Sequence, residues 1–305
     1  MASNTKPSFE FNNQISPRYI DPLLMQIEPE RWYTTSELQV LLQRSGPNIE
    51  GKEIVLLNVR AWSLIGLGET RRVKKGRSVV RLFRLSKFGQ FARNIYSTNR
   101  ELFFDLIHYR FYTAWPATQS LEFARFWLYW RVCDELWQNA PSPMDSFGLT
   151  NRLQQESHAA FPDLKPSFPE RSVRGTFPWL VALDPSFLIK ADSKGSLRSN
   201  RRNHCSPQLF HLATDSVLRE EQLGYGTAMT IGESQIEATC RLCLLDPDRY
   251  WPMAEVAELS IREFTLKRSQ WGRSIVLIGS PSWIDLPEWE VADEADSDRD
   301  TEVDA

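Results

Sequence analysis

The sequence predicts a mainly α protein with small β elements, and three observations carry that expectation. Three short helical patterns between Pro17 and Leu64 are followed by a two-stranded pattern over Glu69 to Leu85. Between Phe103 and Trp137 there are 12 aromatic residues in 35, set at helical spacing. Helical periodicity then returns three times after Pro207, with a single strand-like run at Ser274 to Ile278. The expected organisation is a flexible N-terminus over 1–16 and a winged helix-turn-helix over 17–98. An aromatic helical hairpin over 99–140 and a Pro-rich linker over 141–178 follow. A C-terminal α+β lobe, mostly helical, spans 179–290, and a disordered acidic tail spans 291–305.

In the first unit, Tyr19, Leu23, Leu24 and Ile27 fall at helical spacing and predict a short first helix, with Pro22 near its start. Thr34-Thr35-Ser36-Glu37 reads as a capping box: the Thr34 hydroxyl accepts from the Glu37 amide while the Glu37 side chain reaches back. It launches a second helix that buries Leu38, Leu41 and Leu42 and closes at Gly46-Pro47. A third helix is predicted over Lys52 to Leu64, ending before Gly66 and Gly68. In the next segment Val73, Val79, Val80, Leu82 and Phe83 are split by Lys74-Lys75-Gly76-Arg77, the pattern of a hairpin. Three short helices and a ribbon give the winged-helix order.

Further along, helices are predicted over Arg100 to Ala114 and Leu121 to Gln138, joined at Trp115-Pro116. Asp105, His108, Arg110, Arg125 and Arg131 interrupt their apolar character too often for a membrane span, so a buried hairpin is expected. Pro141, Pro143, Pro162, Pro166, Pro169 and Pro178 predict a linker with one short helix. Trp179 to Ile189 fits a strand or a short helix, and Ser193 to His204 a polar loop with Lys194, Arg198, Arg201 and Arg202. Helices are expected at Pro207 to Gln222, Glu233 to Leu245 and Pro252 to Phe264.

The net charge of -3 conceals an asymmetry. Up to Arg110 there are 17 Lys/Arg against 10 Asp/Glu; the remainder has 19 against 29. A basic first third suits a polyanionic partner, and the acidic balance elsewhere argues against nucleic acid over the whole surface. Met1-Ala2-Ser3-Asn4-Thr5-Lys6 lacks the apolar core of a secretory signal, and the four cysteines are too scattered for a disulfide framework. A cytoplasmic setting is expected, with no membrane contact.

Seven bases and no acid lie between Arg71 and Arg84: Arg71, Arg72, Lys74, Lys75, Arg77, Arg81 and Arg84. On a ribbon they suit phosphates or a minor groove of double-stranded DNA, contacts that supply affinity and salt dependence but little sequence information. The competing reading is a solvated edge whose charges block aggregation. The third helix offers Lys52, Asn58, Arg60 and Ser63 among Ile54, Val55, Leu56, Leu57, Val59, Ala61, Trp62, Leu64 and Ile65. So apolar a helix is more often buried than set in a major groove, which points to nonspecific or partner-assisted contact.

Other chemistry is weaker. Cys240-x-x-Cys243 with Cys205, His204 and His211 has the makings of a zinc site, but the two cysteines share a helical face with Ile236 and Leu244, so core packing is the simpler reading. Asp163 or Asp184 with Asp192-x-Lys194 has the elements of a metal-dependent nuclease, a pattern that chance also produces. His108 has no nucleophile or orienting acid identifiable beside it. Leu223-Gly224-Tyr225-Gly226-Thr227 lacks the Gly-Lys-Ser/Thr ending of a phosphate loop and reads as a turn. No catalytic residue, metal or cofactor is expected.

Leu85-Ser86-Lys87-Phe88-Gly89 resembles the Leu-Thr-x-x-Gly exit from the wing of many winged helices. That run, with Leu102-Phe103-Phe104-Asp105-Leu106-Ile107-His108-Tyr109 and Phe126-Trp127-Leu128-Tyr129-Trp130, resembles a family of unknown function encoded beside bacterial DNA-phosphorothioation and phage-defence genes. The likeness covers about residues 50–140 and implies an accessory role in a DNA-modification or restriction-like system. Three functions therefore compete: a DNA-binding regulator or subunit of a DNA-targeting assembly, a protein–protein scaffold, and a nuclease. Residues 293–305, with seven acids and one base, suit a solubilising tail, the commoner case, or a competitor with DNA for the basic ribbon.

Overall fold

A computed structural model describes residues 8–11, 15–44, 52–76, 78–191, 196–270 and 272–289, with the backbone alone at Lys75. Among them the protein is mainly α, with three small three-stranded sheets. The first sheet contains β1 (Tyr33–Thr34), β2 (Gly68–Lys75) and β3 (Ser78–Leu85) in the order β1-β3-β2, all antiparallel. Helices α1 (Thr35–Arg44) and α2 (Lys52–Leu64) lie between β1 and β2, and α3 (Lys87–Thr98) leaves the ribbon. The expected first helix is absent: Pro17–Tyr19 and Leu24–Gln26 are separate 3-10 turns. Tyr19, Leu23, Leu24 and Ile27 are nonetheless buried, so the apolar spacing reported an inward face rather than a continuous helix.

Helices α4 (Arg100–Thr118) and α5 (Ala124–Gln138) form the centre. An α-helix surrounded on all sides needs apolar residues all round, and α4 buries every residue from Leu102 to Tyr112 except the half-buried Tyr109. The break expected at Trp115-Pro116 falls later, at Gln119, whose φ of 47° ends the helix. Pro116 is tolerated inside its last turn. The rings pack edge to face or offset, as with Phe111 against Phe126 at 5.4 Å and Trp179 at 5.0 Å, each pair adding about 0.5–1.5 kcal/mol beyond burial.

Two expectations about irregular segments fail for the same reason. The 141–178 stretch is no linker: α6 (Ser146–Ala160) and α7 (Glu170–Ala182) occupy most of it. Asp145 caps α6 by accepting from Gly148 N–H, and Leu149, Leu153, Phe168 and Val173 are buried against α5. Prolines mark the ends of these helices, with Pro178 as the exception inside α7. Nor is the described part of 1–16 a loose end. Phe11 sits against Phe111 and Tyr129, Phe9 against Phe161, and Trp179 donates its indole N–H to Ile15 O. Aromatic area outweighs the polar composition of that segment.

In the C-terminal part, α8 (Pro207–Glu220) and α9 (Glu233–Cys243) match the expected helices with trimmed ends, while α10 (Tyr250–Ser260) starts earlier and ends earlier than expected. β4 (Ser142–Pro143), β5 (Leu188–Lys190) and β6 (Leu197–Ser199) form a second sheet, and β7 (Ala228–Thr230), β8 (Phe264–Ser269) and β9 (Gly272–Leu277) a third. β9 matches the expected strand, while the segment around Phe264 begins β8 instead of ending a helix. Arg202, expected in a polar loop, is fully buried. Its Nη2 lies 2.8 Å from Asp105 Oδ1 on α4 and donates to Asp184 O, while Asp105 Oδ2 accepts from Ser206 N–H. Buried apolar side chains from Phe9 to Leu277 form one continuous cluster, so the ribbon-bearing part and the C-terminal part share a core.

Candidate nucleic-acid interface

The basic ribbon is held from its base. Thr34 and Glu37 form the reciprocal capping box, with Glu37 N–H to Thr34 Oγ1 at 3.2 Å and Thr34 N–H to Glu37 Oε2 at 2.7 Å. These bonds pull the Glu37 carboxyl below its usual range and start α1 beside β1. Trp62 of α2 packs against Phe83 of β3 at 6.4 Å. Gly68 faces that same ring: a Cβ there would lie 2.0 Å from it. At the exit, Ser86 accepts from Gly89 N–H and donates to Gly66 O, tying the first turn of α3 to the α2–β2 junction. At the tip, Gly76 has φ +63°, the conformation a two-residue hairpin loop requires.

Residues facing one another across the ribbon share a side of it, and the side alternates along each strand. Phe83 and Leu85, at the base, define the inward side. Further out the same side carries Arg72 directly opposite Arg81, then Lys74 opposite Val79, which is 67% exposed. The other side carries Arg71 and the Arg84–Glu69 pair. There the Trp32 ring lies under two guanidinium groups, Arg71 at 4.3 Å and Arg84 at 4.6 Å, and Arg84 also bonds Glu69 Oε2 at 2.8–2.9 Å. One side therefore sets like charges opposite each other, while the other holds its arginines on an aromatic ring and an acid. Like charges directly opposed destabilise a ribbon, whereas cation–π contacts orient the charge they hold.

The residues singled out in the sequence separate clearly. Arg71, Arg72, Lys74, Arg81 and Arg84 lie on the ribbon; Arg77 and the side chain of Lys75 lie outside the described residues. Arg60 is exposed on α2. Asn58 is not a base-reading residue: it is fully buried, and its amide donates to Ile54 O within the helix. The spacing places it on the α2 face with Val55 and Trp62, which points into the core. Between α2 and the ribbon runs a groove of about 370 Å³ lined by Leu56, Arg60, Thr70, Arg81 and Glu122 among others. Trp32 escaped sequence reasoning because its partners are distant in the chain.

The remaining candidates resolve into structure. His108 is buried, with Nδ1 3.0 Å from the Tyr129 hydroxyl and Nε2 2.7 Å from Leu242 O, and burial pulls its pKa down to about 3. A neutral ring, donating from Nε2 and accepting at Nδ1, satisfies both partners. Cys133, Cys205, Cys240 and Cys243 are buried free thiols, and burial pushes Cys133, Cys240 and Cys243 up, away from the reactive thiolate. Among the described residues no group of three or more His, Cys, Asp or Glu is arranged to hold a metal ion. Asp192 and Lys194 lie outside the described residues. No helix among the described residues is long and apolar enough to cross a membrane.

No protein-family model matches the chain, and no curated protein matches it significantly. Two solved structures share its fold. The SspB crystal structure superposes with a TM-score of 0.53 at 14% identity, covering 90% of this chain and 82% of that one. The magnesium ion-bound SspB crystal structure gives 0.51 at 14% identity, covering 89% and 80%. At this identity the likeness speaks for the fold.

Proposed function

We propose that residues 17–98 are a winged helix-turn-helix whose basic ribbon grips duplex DNA. In this reading the chain acts in the cytoplasm as a regulator or as a non-catalytic subunit of a bacterial DNA-targeting, defence-type assembly. The carrying observation is the opposition of Arg72 and Arg81 on a projecting ribbon, backed by Arg71 and Arg84 on Trp32. A polyanion meets two guanidinium groups side by side in the first and a pre-oriented charge in the second. The strand order β1-β3-β2, with two helices between β1 and β2, agrees with the winged-helix topology. The resemblance of residues 50–140 to a family encoded beside phosphorothioation and phage-defence genes supports the assembly role, and the fold likeness to SspB is compatible with it.

Sequence-specific reading is not part of this proposal. The exposed residues of α2 are Lys52, Glu53, Leu56 and Arg60, too few donors and acceptors to discriminate base pairs. The same surface favours one second reading, a protein scaffold, because Val40 on α1 and Leu56 on α2 are both more than 40% exposed. The acidic run 293–304 lies outside the described residues but follows shortly on Trp289. That ring is stacked over Arg110 at 3.4 Å and packs on Phe123, while Arg110 also donates to Pro287 O and Ile65 O. Trp289 is thus held beside the α2–β2 junction, a short stretch of sequence before the acidic run, which supports competition with DNA.

The test is affinity for an arbitrary duplex at two salt concentrations, with Arg71, Arg72, Lys74, Lys75 and Arg77 neutralised in parallel. Expected are weaker binding and a slope of log K against log salt that flattens by about 0.9 for each phosphate that the protein no longer neutralises. Binding indifferent to salt, or to neutralisation, sinks the DNA reading. A stable protein partner together with unchanged DNA affinity selects the scaffold.

A further inference from the structure

Arg125, in the first turn of α5, is 4% exposed, makes no hydrogen bond or ion pair with any described residue, and has its Nε sealed from solvent without an acceptor. A buried guanidinium is ordinarily matched by a carboxylate or a set of carbonyls, as Arg202 and Arg110 are in this same protein. The charge acting on it most strongly is another cation, Arg60, with the Glu122 carboxylate a smaller influence of opposite sign; burial and Arg60 together bring its pKa down to about 10. Arg60 and Glu122 both line the groove between α2 and the ribbon, and Arg81 lines it from β3. Two cations from separate stretches of sequence, Arg60 and Arg81, therefore line one groove that carries a single acid among its lining residues, and Arg125 lies close enough to feel the charges of Arg60 and Glu122.

We infer that this groove is a phosphate-binding site, in which Arg60 and Arg81 contact the phosphate oxygens while the buried Arg125 of α5, which makes no ion pair with any described residue, adds to the positive potential there. A largely buried charge without an ion-pair partner is worth more to an incoming anion than an exposed one, because water screens it less. The Thr70 hydroxyl, also in the lining, adds a neutral donor. The phosphate is either a DNA backbone phosphate, in which case this inference rests on the DNA reading and locates its anchor beside the ribbon, or a free phosphate compound.

Inorganic phosphate is the probe, and thermal unfolding of the full chain without DNA is the readout. Tm is expected to climb with phosphate concentration, as it does for any ligand bound only by the folded state, and not with matched chloride. The phosphate response should be lost in Arg125→Gln and in the exposed-site variant Arg60→Gln, which guards against a folding defect in the first. Equal phosphate and chloride responses, or a phosphate response that survives both variants, overturn the inference. Duplex affinity in a second arm separates the sources. A fall in affinity in both variants, alongside the lost phosphate response, assigns the site to the DNA backbone. Unchanged duplex affinity with a lost phosphate response assigns it to a free phosphate compound, and it does so even if the ribbon proves not to bind DNA.

Discussion

Arg81 and Arg84 stand three residues apart on one strand with different surroundings. Arg84 is held by Glu69 and Trp32, while Arg81 faces Arg72 and the groove. Neutralising Arg81 should therefore weaken duplex binding more than neutralising Arg84, with little change or a small gain in stability from removing the like-charge pair, read by titration and by urea unfolding. Asn58→Ala should do the reverse. It removes a buried hydrogen bond to Ile54 O and should lower stability by about 1–3 kcal/mol while leaving DNA affinity unchanged. A loss of affinity in Asn58→Ala at full stability would return that residue to the interface. For His108, burial depresses the folded pKa from 6.5 to about 3, so the unfolded chain takes up the proton first as pH falls. The neutral ring's contribution is complete above about pH 6.5 and is lost progressively toward pH 3. In His108→Gln the acid limb of stability against pH should be shallower; an unchanged limb would show that the buried imidazole does not govern it.

Ser86 decides how the ribbon is joined to the rest. It caps α3 through Gly89 N–H and reaches back to Gly66 O, so Ser86→Ala removes two bonds from one junction. A cap alone contributes about 1 kcal/mol, and the second bond should take the loss in urea unfolding above that. A loss no larger than a few tenths would mean the junction is held by Phe83 and Phe88 instead. The capping box at Thr34 and the Gly76 turn were legible because each is a local pattern of side chains and backbone conformations. The first helix and the proline-rich linker were misjudged because periodicity and proline content do not report what a segment packs against. Tyr19 and Leu24 are buried by 3-10 turns, and Phe168 and Val173 by the flank of α5.

Across the molecule, the Asp105–Arg202 pair joins α4 to the segment leading into α8, with both side chains fully buried. Breaking it with Asp105→Ala leaves an uncompensated guanidinium and should lower stability by about 3–5 kcal/mol in denaturant unfolding. A cost below about 1 kcal/mol would mean that Arg202 finds its whole complement in backbone carbonyls such as Asp184 O. Truncation after Trp289 keeps the Arg110 anchor and removes the acidic run, so duplex affinity should rise at low salt and converge with the full chain at high salt. Equal affinities at low salt would leave those acids without a role at the ribbon.

By itself the sequence determined the mainly α class, the ribbon and its charge, the Thr34–Glu37 start of α1 and the dense aromatic centre, because each depends on neighbours within a few residues. Only the tertiary structure decided which charges face one another. It turned Asn58 inward, set Arg84 on Trp32 and Glu69, opposed Arg72 to Arg81, and brought Arg60 of α2 and Arg81 of β3 to one groove. The physical reason is that a charge's value lies in its desolvation and its partners, and both are set by residues far away in the chain.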